Sequence, residues 1–112
     1  MRFDVTVVAA AIVATSIACS DTPTSNKRSS AAQVTVADNY FTPASVTIAA
    51  GDTVIWIWGG SAGHDVQFST GGAPAGCGAT SSGVCIRAFP TAGTYSYFCS
   101  FHSGMNGTIV VN

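Results

Sequence analysis

"GTYSYFCSFHSGMNGTIVV", residues Gly93 to Val111, decides the reading of this chain. Two short strand-like segments, "GTYSYFC" and "GTIVV", flank a loop rich in serine and glycine. Inside the loop, Cys99, His102 and Met105 stand at even three-residue steps. Small Ser103 and Gly104 let the backbone curl, so His102 and Met105 can turn back beside Cys99. A thiol, an imidazole and a thioether in one tight turn make half of a metal site.

Upstream the same strand signal repeats. "QVTVA" (33–37) alternates at Val34 and Val36, and "SVTIA" (45–49) at Val46 and Ile48. After the turn signal "AAGD" (49–52), "TVIWIW" (53–58) puts Val54, Trp56 and Trp58 on one face and Ile55 and Ile57 on the other, as in a strand covered on both sides. "HDVQF" (64–68) sends His64, Val66 and Phe68 to one face, and "VCIRAF" (84–89) follows. Helical periodicity is absent after residue 32, and no internal repeat is present. About seven to eight short strands separated by Gly, Pro, Asn and Asp predict an all-β fold, an antiparallel β-sandwich. The stretch "STGGAPAGCGATSSG" (69–83) is expected to be irregular.

The amino-terminal third has a different character. Val5 to Ala18 is an apolar run too short to span a bilayer but suited to the apolar region of a signal peptide, so residues 1–18 are assigned that role. "SIAC" (16–19) resembles a lipoprotein cleavage site, which makes Cys19 a lipidation candidate; a plain cut after "SIA" is the alternative. Residues 19–32, rich in Ser, Thr and Pro, read as a flexible tether, and the folded domain is expected over 33–112. The chain is then exported to a periplasmic or other extracytoplasmic compartment, membrane-anchored if Cys19 carries lipid.

Charge excludes several function classes. The expected domain contains only Asp38, Asp52, Asp65 and Arg87 as charged residues, too few basic groups for nucleic acid and too few of either sign for strong steering. The chain has no glutamate, and no paired carboxylates or Ser-His-Asp set is evident, so an enzyme is not expected. Copper oxidases also need more histidines than the two present.

The four cysteines divide by context. Cys77 and Cys85 are separated by a short glycine- and serine-rich loop and can pair at low closure cost, stapling a small core. With Cys19 set aside, Cys99 is left over, and a metal would protect an unpaired exported thiol. Beyond the initiator, the imidazoles, thioether and spare thiol number four: His64, Cys99, His102 and Met105. Singly, these would be a satisfied loop histidine, core filler or a buried small hydrophobe. Together, two imidazoles, a thiolate and a weak thioether are the donors of a blue-copper electron-transfer centre. Zinc prefers Cys/His sets without methionine.

At this point the chain resembles the plastocyanin-like cupredoxins. "GTYSYFCSFHSGM" followed by "GTIVV" is similar to their carboxy-terminal end, and "YFTPASVTIAAGDTVIWIW" followed by "GHDVQF" to their middle. The resemblance implies a Greek-key sandwich, one copper ion held by His64, Cys99, His102 and an axial Met105, and one-electron transfer. It also implies an exit route through His102 and small, apolar, transient docking of redox proteins near it, with Phe101 and Met105 in the patch and the protein a monomer. The Cys-to-Met loop is short, as in amicyanin, and Phe101 stands where proline is common. Asp65 stands where the family usually carries asparagine; that residue braces the cysteine loop, so Asp65 is expected beside the metal ligands. A copper carrier without electron transfer is the alternative, although the chain has no spare Met or His for hand-over.

Overall fold

The computed structural model describes residues 30–112, which form nine strands and no helix. In chain order these are β1 (Ala31–Ala37), β2 (Tyr40–Thr42), β3 (Ser45–Ile48), β4 (Thr53–Trp58), β5 (His64–Phe68), β6 (Cys77–Thr80), β7 (Val84–Ala88), β8 (Gly93–Phe98) and β9 (Asn106–Val111). One sheet has the order β2-β1-β4-β7 and the other β3-β9-β8-β5-β6. The all-β sandwich is the predicted one, with two differences of detail. Both sheets are mixed, because β1 runs parallel to β4 and β3 parallel to β9. Nine strands replace the expected seven to eight.

The additional strands are β2, whose three residues are too short to show alternation, and β6. The second lies inside the stretch expected to be irregular. Its Gly78 and Ala79 carry no strand signal, yet it pairs with β5 and is tied to β7 by the Cys77–Cys85 disulfide. The first strand begins two residues before the expected domain boundary, because Ala31 and Ala32 pair with Thr53 and Val54. The proposed signal peptide, Cys19 and most of the proposed tether lie outside the described residues.

The strand pattern buries one side of each sheet. In β4, Val54, Trp56 and Trp58 face the core, while Ile55 and Ile57 are half-buried on the outside, so this strand is covered on one face and not on both. Trp56 sits at the centre, with ring centroids 5.5 Å from Tyr97, 5.9 Å from Phe68 and 6.5 Å from Phe89. The Tyr97 and Phe68 contacts are edge-to-face, and such pairs add about 0.5–1.5 kcal/mol each beyond their buried area. Cross-strand Gly107 makes room for Tyr97: a Cβ there would lie 2.1 Å from Tyr97 Cζ. In β5 a register irregularity between His64 and Val66 breaks the expected alternation, and His64, Asp65 and Val66 are all buried.

Candidate metal centre

Three segments meet at one end of the sandwich. His64 opens β5, where its carbonyl accepts the Trp58 indole N–H at 3.1 Å, so the end of β4 fixes the start of β5. Cys99 directly follows β8, and Met105 directly precedes β9. The loop between them closes on itself: the Cys99 amide donates to the Met105 carbonyl at 2.9 Å, and the Met105 amide to the His102 carbonyl at 3.3 Å. Gly104, at φ +79°, takes the left-handed conformation this turn requires.

The loop brings the side chains of distant residues together. His64 Nδ1 lies 3.1 Å from His102 Nδ1, and Cys99 Sγ lies 3.8 Å from His64 Nδ1 and 3.7 Å from His102 Nδ1. His64 and Cys99 are buried, and His102 is half-buried. Met105 is fully buried, and its backbone bonds hold it in the same closed loop, so of the two residues expected in an apolar docking patch only Phe101 reaches the surface.

A family model described as copper binding proteins, plastocyanin/azurin family, matches residues 29–112. The chain belongs to the plastocyanin/azurin family of copper-binding proteins. A plastocyanin from Scenedesmus fuscus is 41% identical over 83 residues, covering 63% of this chain and 85% of the relative. An amicyanin from Paracoccus versutus is 41% identical over 76 residues, covering 64% of this chain and 57% of its own length. The crystal structure of that amicyanin superposes with a TM-score of 0.66 at 31% identity, over 73% of this chain and 81% of its own. A purple cupredoxin from Nitrosopumilus maritimus shares the fold, with a TM-score of 0.65 at 22% identity over 72% of this chain and 99% of its own.

Copper is the metal of this cupredoxin family, and the donor triangle fits one ion. Imidazole nitrogen and thiolate sulfur bind a divalent first-row metal at about 2.0–2.3 Å, so three such donors spread around it stand about 3.5–3.7 Å apart. The observed edges of 3.1, 3.7 and 3.8 Å bracket that range. No cluster of three His, Cys, Asp or Glu donors other than His64, Cys99 and His102 occurs among the described residues.

Two carboxylates surround this cupredoxin's donors. Asp65 reaches from β5 to the cysteine loop, accepting the Ser100 amide at 2.7 Å and the Ser100 hydroxyl, while Gln67 Nε2 donates to it at 3.1 Å. Burial works to raise the Asp65 carboxyl, but the Ser100 and Gln67 hydrogen bonds outweigh it and hold the group below its ordinary value. The second carboxylate, Asp38, was not singled out from sequence. It lies in the turn between β1 and β2, where Oδ1 stands 3.1 Å from His64 Nε2. Asp38 also accepts the Ala62 and Ser61 amides, which together with His64 hold its carboxyl far below the usual carboxylate range. In sequence, "ADNY" reads as turn chemistry, and nothing local connects Asp38 to a histidine 26 positions away. Cys77 and Cys85 form the disulfide proposed from their spacing, at the β6–β7 edge.

Proposed function

We propose that this protein is a type 1 copper electron carrier, with His64, Cys99 and His102 as strong ligands and Met105 as the weak axial one. The observation that carries this is the convergence of two imidazole nitrogens and one otherwise unpaired, buried thiol at one end of a rigid sandwich. Copper held there supplies a one-electron couple, because thiolate and thioether suit Cu(I) while imidazole accepts both states. The chain's own part is to keep the donors in place. His64 is locked between Trp58 and Asp38. Cys99 is anchored through its amide to Met105 and through Ser100 to Asp65. A donor set held this firmly moves little between oxidation states.

Partners are other exported or membrane redox proteins. Phe101, 60% exposed beside half-buried His102, offers a small apolar contact suited to brief encounters of a monomer. Weak charge predicts an electron-transfer rate that varies little with ionic strength; a steep dependence would contradict docking of this kind. The oxidised Cys77–Cys85 pair supports export, and Cys19 lipidation is the proposed anchor, checked by the mass of the amino-terminal peptide from membranes.

The deciding experiment adds one equivalent of Cu(II) to the protein and records the visible spectrum. An intense thiolate-to-copper band, bleached by ascorbate and lost in Cys99→Ser, is expected. A colourless protein that takes zinc but not copper overturns the proposal. Fast copper loss to a chelator, despite a blue band, would favour the carrier reading over electron transfer.

A further inference from the structure

We propose that Asp38 is a positioning residue for the metal centre: its carboxylate holds His64 with Nδ1 facing Cys99 and His102, and its charge favours the more oxidised state of the metal held there. This rests on the copper reading above. A carboxylate only accepts hydrogen bonds, so the 3.1 Å contact from His64 Nε2 to Asp38 Oδ1 places the imidazole proton on Nε2. That leaves the Nδ1 lone pair aimed at the other two donors, which is the tautomer a ligand needs.

The surrounding loop is built around this carboxylate. Oδ1 accepts the Ala62 amide at 3.0 Å and the Ser61 amide at 3.1 Å, and Oδ2 accepts the Ser61 hydroxyl at 3.1 Å. Gly60 passes so close that a Cβ would stand 2.2 Å from Oδ1. The segment between β4 and β5 is therefore clamped to the β1–β2 turn through the same group that holds the His64 ring. With every partner a donor, the carboxylate remains ionised and places a negative charge one imidazole away from the donor triangle. A negative charge there stabilises a more positive metal, so it lowers the reduction potential.

Hydrogen bonding and charge can be separated by substitution. Asp38→Asn keeps an oxygen for the Nε2 proton and the loop amides but removes the charge. Asp38→Ala removes both. Asp52→Asn, at the opposite end of the sandwich, makes the same change in net charge away from the site. At low ionic strength, Asp38→Asn is expected to retain the blue band and shift the potential positively, a severalfold loss of preference for Cu(II) over Cu(I), while Asp52→Asn leaves it in place. Asp38→Ala is expected to lose about 10–100-fold in Cu(II) affinity. Nitrogen-15 spectra of the metal-free protein should show His64 protonated at Nε2, and a tautomer mixture in Asp38→Ala. An unmoved potential in Asp38→Asn, or an equal shift in Asp52→Asn, overturns the role of the charge. His64 protonated at Nδ1 in the unaltered protein overturns the positioning. A missing blue band in the unaltered protein sinks the copper reading instead, and the metal-free spectra still decide the positioning.

Discussion

Asp65 holds the segment after Cys99 by two hydrogen bonds to one residue, the Ser100 amide and the Ser100 hydroxyl. Asp65→Ala removes both hydrogen bonds to this charged acceptor and should destabilise the metal-free protein by about 1–3 kcal/mol at neutral pH, read from urea unfolding. The acid limb carries a sign. The folded carboxyl lies below its ordinary value, so Asp65 contributes stability above about pH 4 that is lost as pH falls through the lowered folded value. Asp65→Asn keeps an oxygen for the Ser100 amide but loses the charge and turns an amide N–H toward the Ser100 hydroxyl and Gln67 donors, so it should lower stability at pH 7 and flatten the further loss on acidification. An acid limb as steep as that of the unaltered protein would refute this. The candidate donors were legible in sequence because the inventory is so short: two histidines, one methionine beyond the initiator and, with Cys19 set aside as a lipidation candidate, one cysteine outside the disulfide. Asp38 was not, because its role exists only once the β1–β2 turn has been folded against the loop before His64.

In the strands, the facing positions carry the energetics. Tyr97 on β8 pairs with Gly107 on β9, and the ring lies over the bare glycine. Gly107→Ala drives a methyl into ring carbons that are themselves packed against Phe41 and Trp56, so a loss of about 1–3 kcal/mol or more is expected in the unfolding free energy. Wild-type stability in that variant would show that the ring moves aside freely. The Cys77–Cys85 link closes a loop of sequence separation 8 between the edge strands of the two sheets. Removing it as the Cys77→Ala, Cys85→Ala double variant should cost roughly 2–3 kcal/mol by loop-closure entropy, measured by the same unfolding curves. Strands with strong alternation, such as β1 and β4, were legible. The parallel pairing of β1 with β4, and of β3 with β9, was not, because pairing partners are chosen by the packed sandwich and leave no local pattern. β6 was hidden for a different reason: its position depends on the β5 edge and the disulfide, and its glycine- and alanine-rich sequence prefers neither strand nor loop.

Across the whole molecule, the two ends of the sandwich are held differently. At one end the backbone closes itself: Ala50 donates to Asn112, Gly51 to Phe89 and Thr53 to Ser30, while buried Asp52 accepts the Ala49 and Ser30 amides. At the other end, His64 on β5 and Cys99 and His102 between β8 and β9 converge through side chains. A metal bound by these donors would tie the two segments together and bind only the folded chain. At a free metal concentration 100 times its Kd the linkage adds about 2.7 kcal/mol. For a domain of this size that corresponds to a rise of roughly 10–20 °C in Tm. The rise should appear with redox-silent Zn(II) as well as with copper, since it needs donors and not electron transfer. Hydrogen exchange should locate it: on metal removal, amides of the 59–64 and 99–105 segments gain exchange, while those of Gly51, Thr53 and Asn112 keep their protection below global unfolding. A Tm unchanged by either metal, or protection lost equally at both ends, would mean that the donor triangle does not act as a cross-link between β5 and the β8–β9 loop.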